Sequence, residues 1–322
     1  MSVNIQGTDN NYKPGVGSSS EFLDIIRQAE TYASVPRPIL VRGERGTGKE
    51  LLAHYIHAIS NRSEYPYVIV NCAAFQEDLF IADMFGHEKG AFTGADGTKI
   101  GKFELANKGT FFLDEVANMS IKVQEKLLRV IEYQSFNRLG GTKKIEVDVR
   151  VIAATNAPLE EMMENGEFLP DLYDRLSFAV LVVPPLRKRR DDIPLLLKHF
   201  IDQLHQEMPD LEIKSFTKAA VKVLKEYHWP GNIRELKNIV ERLYISDIDG
   251  VICASELPIE ITSLEPLDGS FYGRTKAFKK TILLTTLKDC LGNQREAAAK
   301  LGMTYDQFRH YYKKFNLGEL LV

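Results

Sequence analysis

Tryptophan occurs once in this chain of 322 residues and cysteine three times, and no stretch approaches the ~18 consecutive apolar residues of a membrane-spanning helix. The polar opening "MSVNIQGTDNNYKPG" also lacks the apolar core of a secretory signal. A soluble cytoplasmic protein is therefore expected. Cys72, Cys253 and Cys290 have no CxxC spacing and lie among apolar neighbours, so the expectation is three buried free thiols in a reducing compartment. A large charge excess is lacking too: 41 Lys and Arg against 44 Asp and Glu leave a net −3, which argues against a nucleic-acid coat over the whole surface. What is present is an ordinary globular composition, 44% hydrophobic and 26% charged, with length for two or three domains. The charge is unevenly placed. Residues 274 to 314 hold ten Lys or Arg and three Asp or Glu, a local +7 against −10 for the remainder.

Chemistry first shows in "PILVRGERGTGKE", residues 38 to 50. An apolar run, Ile39 to Val41, enters a loop of Gly43, Glu44, Arg45, Gly46, Thr47, Gly48 and Lys49, and the helical pattern "ELLAHYIHAIS" follows directly. Strand, glycine loop and helix stand in the order of a P-loop. Backbone amides bared by glycine and the positive end of the helix dipole converge on phosphate, and Lys49 is placed for the β and γ phosphates of ATP. Glu50 stands where the general motif has a Ser or Thr hydroxyl for magnesium. Downstream, "GTFFLDEV" (109 to 116) is an apolar strand ending in two carboxylates. Asp114 is predicted to hold Mg2+, directly or through water, and Glu115 to polarise the attacking water. A third strand, "VDVRVIAATN", ends in Thr155 and Asn156, suited to sensing the γ phosphate. Strands ending near residues 43, 72, 115 and 156 alternate with helical segments, which predicts one parallel sheet with a shared active edge.

A second glycine stretch, "GHEKGAFTGA" at residues 86 to 95, follows neither the helical nor the strand period and carries one exposed-looking aromatic, Phe92. "RLGGTKK" at 138 to 144 reads as a hairpin tip. Taken in order, "GERGTGKE", "GHEKGAFTGA", "GTFFLDE", "ATN", "PPLRKRRDDI" and "WPGNIRELKN" resemble the bacterial enhancer-binding activators of sigma-54 RNA polymerase, members of the AAA+ ATPases, over about residues 15 to 316. The resemblance implies an α/β P-loop fold with a parallel sheet and helical lid, ending in an all-α Fis-type helix-turn-helix. It also implies that Gly90, Ala91, Phe92, Thr93, Gly94 and Ala95 touch sigma-54 rather than ATP, with Phe92 and Thr93 making the contact, and that the 138–144 hairpin lies beside this loop. Glycines on both sides of a single aromatic suit a loop that moves with nucleotide state.

Further roles follow from the resemblance. Asn71, closing "YVIVN", matches the partner that holds Glu115; Arg234 in "NIRELKN" matches the second sensor on the lid; Arg175 in "DLYDRL" matches an arginine finger that enters the neighbouring subunit's site. The family usually has another Arg six residues before that finger, where this chain has Leu169, followed by Pro170. Arg175 alone is therefore expected to act in trans.

The basic C-terminal segment follows a stretch, residues 258 to 273, that reads as a linker. In "KAFKKTILLTTLKDCLG" Phe278, Ile282, Leu283 and Leu287 have helical apolar spacing, and "NQREAAAKLGMTYDQFRHYYKKF" reads as two helices about a Gly302 turn, with Ala297 and Ala298 permitting a close crossing. DNA recognition is expected to use Thr304 to Lys314, where Tyr305, Gln307, Arg309 and His310 can reach base edges and Lys313 and Lys314 are better placed for phosphates. The expected organisation is 1–14 flexible, 15–185 α/β core, 186–257 lid, 258–273 linker and 274–322 DNA-binding domain. With only about 20 residues before the ATPase pattern, no sensor domain is expected, so input would come from another protein or from expression level. "VQEKLLRVIEY" and "MTYDQFR" are similar to sensorless activators of the phage shock operon, which implies a negative regulator acting on the AAA+ domain. The function implied by the resemblance is an ATP-driven hexameric ring that binds upstream enhancer DNA and remodels closed sigma-54 polymerase.

Overall fold

The structure, a computed structural model, describes residues 15–73, 77–92, 94–246, 250–262, 271–315 and 317. The chain divides into two compact units, residues 1–252 and 253–322.

The first unit is built on five parallel strands: β1 (Ile39–Arg42), β2 (Tyr67–Asn71), β3 (Thr110–Asp114), β4 (Arg150–Thr155) and β5 (Ala179–Val182). Their order across the sheet is β2, β3, β4, β1, β5. All six residues of β4, "RVIAAT", are buried, as expected where helices cover both faces of a parallel sheet. One face packs Val70, Phe111, Leu113 and Val151 against the helices Glu77–Phe85 and Ile121–Tyr133; the other packs Ile39, Val41, Phe112 and Ile152 against α1 (Ser20–Ala33) and α2 (Lys49–Ala58). In α1 the buried residues Phe22, Ile25, Ile26, Ala29 and Ala33 fall on one helical stripe, and the Ser19 hydroxyl caps the first turn by accepting from the Phe22 N–H. Burial of each of these side chains stabilises by roughly 1.5–3 kcal/mol for the larger ones. The strands end at Arg42, Asn71, Asp114 and Thr155, so the predicted shared edge forms.

Helices Ile193–Glu207, Lys218–Glu226 and Asn232–Ile245 pack beyond the sheet within the same unit. Trp229, the sole tryptophan, is fully buried at the turn between the last two and donates its indole N–H to the Leu224 carbonyl at 2.8 Å.

The second unit holds helices Phe271–Asp289, Gln294–Lys300 and Tyr305–Lys314 around a small core of Leu283, Leu284, Leu287, Ala297, Ala298 and Phe308. Gly302, at φ +65°, turns the chain between the last two helices. The turn leads into Thr304, whose hydroxyl accepts from the Gln307 N–H while the Gln307 side chain accepts from the Thr304 N–H, a capping box that fixes where the last helix starts. Three expectations change. The unit boundary lies at Ile252/Cys253, a short helix (Ile259–Thr262) lies within the stretch read as linker, and the long helix starts at Phe271. Phe278 and Ile282 are exposed, because the buried stripe runs through Leu283, Leu284 and Leu287 instead. Cys72 and Cys290 are buried as expected, but Cys253 is exposed, at a helix start where its N–H donates to Glu256.

Candidate functional site

The phosphate loop is shaped by where side chains cannot go. Gly46 lies at φ +77°, and a Cβ there would stand 2.3 Å from the Gly231 carbonyl oxygen, so loop and helical region meet backbone to backbone. Gly48, at φ +98°, is the N-cap of α2 and offers no side chain to the first-turn amides. A helix N-terminus without a capping side chain is the arrangement that binds anions. Thr47 is buried, its hydroxyl on the Glu44 carbonyl at 2.9 Å. Lys49 is also buried; its ammonium donates to the Gly43 carbonyl at 3.0 Å and the Glu44 carbonyl at 3.4 Å, and lies 3.7 Å from Glu115. A nearly dry ammonium held, among the described residues, by two carbonyls and one carboxylate fits a phosphate-binding role.

At the ends of β2 and β3 the structure differs from expectation. Asn71 stands opposite Asp114 in the parallel register and donates to it at 3.5 Å, while its own side-chain oxygen accepts from the Ala73 N–H at 2.9 Å. Glu115 has left the strand at φ +56° and turns to Lys49. The expected Asn71–Glu115 contact is thus replaced by Asn71–Asp114, because the parallel register sets Asn71 beside Asp114 and Glu115 has turned out of the strand. Burial and the neighbouring Glu115 raise the Asp114 pKa, with Lys49 opposing them. Asp114 and Glu115 fit a hard cation that takes one or two carboxylates and completes its shell with phosphate and water. Glu50 lies exposed in the first turn of α2 and Asn156 is exposed beyond β4. Thr155 is buried and accepts from the Ala157 N–H at 3.0 Å, which fixes its hydroxyl at the strand end.

The helical region closes on this loop through residues that sequence reasoning passed over. Asn232, fully buried at φ +53°, donates to Glu44 at 3.2 Å and to the Arg45 carbonyl at 3.0 Å, and accepts from the Leu186 N–H at 2.8 Å. Arg187 grips both Glu44 oxygens, one at 2.7 Å, and pulls the Glu44 pKa down. The Ile233 N–H reaches the Gly46 carbonyl at 3.0 Å, and the Arg234 backbone N–H makes a longer 3.4 Å contact to the same oxygen. Only the stretch "WPGNIRELKN" gave a signal for Asn232, and nothing in the sequence marks its left-handed backbone. Beside Gly48 lies a mostly apolar cleft lined by Phe22, Thr47, Leu52, Ile233 and Arg189. Burial lowers the Arg189 pKa against the raising influence of Asp192.

Arg175 is exposed and pairs with Glu132 of the helix Ile121–Tyr133 at 2.6 Å. Leu169 occupies the position of the missing second Arg. It packs against the core beside the sheet, and its N–H donates to Gln124 at 2.8 Å, which fixes the start of the helix Pro170–Leu176.

The 86–95 stretch forms a loop braced from below. The Glu88 N–H donates to the Leu139 carbonyl, the Leu139 N–H to the Gly86 carbonyl, and Ala91 stands 2.9 Å from where a Cβ on Gly140 would lie, so the 138–144 turn does lie against it. Arg138 bridges Glu88 at 2.9 Å and Glu104 at 2.8 Å. Within the loop the Gly90 N–H donates to the Ala95 carbonyl and the Ala95 N–H to the Phe92 carbonyl. Phe92 is 40% exposed, with one edge against the His87 ring at a 5.0 Å centroid separation. Thr93 lies outside the described residues.

In the second unit Thr304, Tyr305, Gln307, Arg309, His310, Lys313 and Lys314 are all exposed, and buried Phe308 anchors their helix. The guanidinium of Arg295 lies over the Tyr305 ring at 5.4 Å. No helix among the described residues is long and apolar enough to cross a membrane.

The Sigma-54 interaction domain family matches residues 16–182 and the AAA+ ATPase lid domain family residues 187–269. The chain is 42% identical over 321 residues to the Psp operon transcriptional activator of Escherichia coli, covering 94% of this chain and 98% of that protein. It is 41% identical to the nitrogen fixation protein VnfA of Azotobacter vinelandii, covering 95% of this chain but 60% of that longer protein. Among solved structures, NtrX of Brucella abortus in complex with ATP superposes with a TM-score of 0.71 at 35% identity, over 95% of this chain and 70% of NtrX. With the first of these domains matched over more than half of the chain and a relative matched along nearly its full length, the protein belongs to the sigma-54-dependent transcriptional activators, a family built on the AAA+ fold.

Proposed function

We propose that this chain hydrolyses ATP in a hexameric ring, binds upstream enhancer DNA, and uses the 86–95 loop to remodel closed sigma-54 RNA polymerase into the open complex. The observation that carries this reading is the exposure of Phe92 on a braced loop in the same unit whose sheet edge gathers Lys49, Asp114 and Glu115. Lys49 exchanges its carbonyl partners for phosphate oxygens, and Glu115, released from Lys49 by that exchange, accepts the proton of the attacking water. Asp114 would hold Mg2+, directly or through water, and the ion would supply positive charge against the phosphates. Arg175 leaves Glu132 to enter the neighbouring copy's site, where its positive charge favours the transition state. NtrX in complex with ATP supports the choice of nucleotide.

The C-terminal helix pair acts as a Fis-type helix-turn-helix: Tyr305, Gln307, Arg309 and His310 meet base edges, Lys313 and Lys314 meet phosphates, and paired sites gain by avidity. The match to the Psp operon activator along nearly its full length supports the phage shock operon as target and a negative regulator protein that binds the AAA+ domain. The test is promoter opening with purified sigma-54 polymerase and ATP. Opening is expected to require ATP and to be lost in Thr93→Ala and Phe92→Ala while ATP turnover persists. Turnover without opening by the unsubstituted protein would sink the assignment of target.

A further inference from the structure

Arg189 is out of place for a surface arginine in a basic run. Arg187 and Lys188 before it and Arg190 after it are partly or fully exposed, yet its own side chain is 1% exposed. The guanidinium carbon lies 5.1 Å from the centre of the Phe22 ring, and its Nη1 lies 3.9 Å from Asp192, beyond hydrogen-bond length. Asp192 is itself occupied: it accepts from the Ser18 and Ser19 N–H groups at 2.6 and 2.8 Å and from the Ser19 hydroxyl at 2.8 Å. That leaves the Arg189 Nε–H, which finds no hydrogen-bond partner among the described residues. A buried charged donor without an acceptor costs on the order of 1–3 kcal/mol or more, so a fold that keeps one has a use for it or loses stability without return.

The location supplies the use. Arg189 lines the apolar cleft that begins at Thr47 and Gly48, where the phosphate loop ends, and continues between Phe22, Leu52 and Ile233. A flat heteroaromatic ring attached to a phosphate chain in the loop has this apolar cleft beside it, and its ring nitrogens are acceptors that aliphatic walls leave unpaired. We propose that Arg189 is a base-reading residue, donating from its guanidinium to an acceptor nitrogen of the purine of the bound nucleotide. This rests on the nucleotide site proposed above. Phe22 holds the guanidinium plane flat through the cation–π contact, and Asp192 fixes its position without consuming Nε. The N-terminal start of α1 thereby becomes part of the binding site, because Ser18 and Ser19 anchor the carboxylate that steadies the reader.

Calorimetric titration of the full chain with ATP and, separately, with inorganic tripolyphosphate tests this. Arg189→Met, which keeps an unbranched apolar stem over Phe22, is expected to bind ATP about 10- to 100-fold more weakly and tripolyphosphate as before. Arg189→Lys keeps the charge beside Asp192 but lacks Nε, and should recover thermal stability without recovering ATP affinity. Among the 1-deaza, 3-deaza and 7-deaza analogues of ATP, one is expected to bind the unsubstituted chain as weakly as ATP binds the Met variant, and the Met variant should not distinguish it from ATP. Equal losses for ATP and tripolyphosphate would make Arg189 a structural strut and overturn the proposal, as would three deaza analogues that all bind like ATP. If the unsubstituted chain bound neither probe, the nucleotide site itself would fall and this reading with it. Tight tripolyphosphate binding with no added affinity for ATP would remove the base reader alone.

Discussion

The two edges of the central sheet use the same residue types for opposite purposes. At the C-terminal edge, Lys49 lies 3.7 Å from Glu115 and Asn71 reaches Asp114 at 3.5 Å, contacts long enough to be exchanged for a ligand. At the N-terminal edge, Arg150 is buried and donates to the carbonyls of Tyr32, at 2.7 Å, and of Ala33 and Arg37. Arg62 likewise reaches the Lys108, Gly109 and Asp148 carbonyls at 3.0 to 3.1 Å and the Asp148 carboxylate at 2.6 Å. His57 pairs with Thr110 at 2.9 Å and stacks on Tyr67. An arginine whose donors end on carbonyls at the C-terminus of α1 satisfies orphan helix groups and clamps the chain. The comparison teaches that a buried cation is a functional candidate when it sits in a ligand loop beside a carboxylate at the open sheet edge, and a clamp when it closes the orphan carbonyls of a helix end.

The largest effect that would break this contrast is on turnover. Glu115→Gln is expected to lower the steady-state rate of ATP hydrolysis by about 10²–10⁴ while ATP affinity and folding stability hold; unchanged turnover would move the chemistry elsewhere. Next comes pH. Burial, then the charges of His54 and Arg150, depress His57 from its ordinary 6.5 to about 4. The unfolded chain therefore takes up the proton first, so stability present above about pH 6.5 is lost as pH falls towards 4, by roughly 3 kcal/mol at most. Urea unfolding of the protein and of His57→Gln at a series of pH values should show that slope flattened in the variant. Smaller still, Arg150→Met is expected to cost about 2–3 kcal/mol in the same assay, from unpaired carbonyls, with ATP affinity unchanged. A fall in affinity equal to that of Lys49→Ala would erase the distinction between the edges. Burial brings the Arg150 pKa down to about 10, still charged throughout the assay range.

Much of the C-terminal edge was legible because its chemistry is local in sequence: a glycine loop bounded by a strand and a helix, and carboxylates at a strand end. The alternation that predicts a parallel sheet is likewise a short-range pattern. What escaped depends on register and on backbone hand. Asn71 faces Asp114 rather than Glu115 because the strands pair residue for residue and Glu115 has already turned left-handed. Asn232 and Arg189 act on residues 188 and 167 positions away, as with Glu44 and Phe22, through contacts that no spacing encodes. Leu169 was legible only as a departure; its packing against the core and its bond to Gln124 show that the position has become structural.

Trp229 has an optical consequence. It is the chain's sole indole, fully buried, and lies two residues before Gly231, whose carbonyl abuts Gly46 of the phosphate loop. Its emission therefore reports from the junction of loop and helical region without any label, against a background of tyrosine alone. Any rearrangement that parts Gly231 from Gly46 is positioned to change the polarity around that one fluorophore, so the protein carries its own spectroscopic gauge of closure.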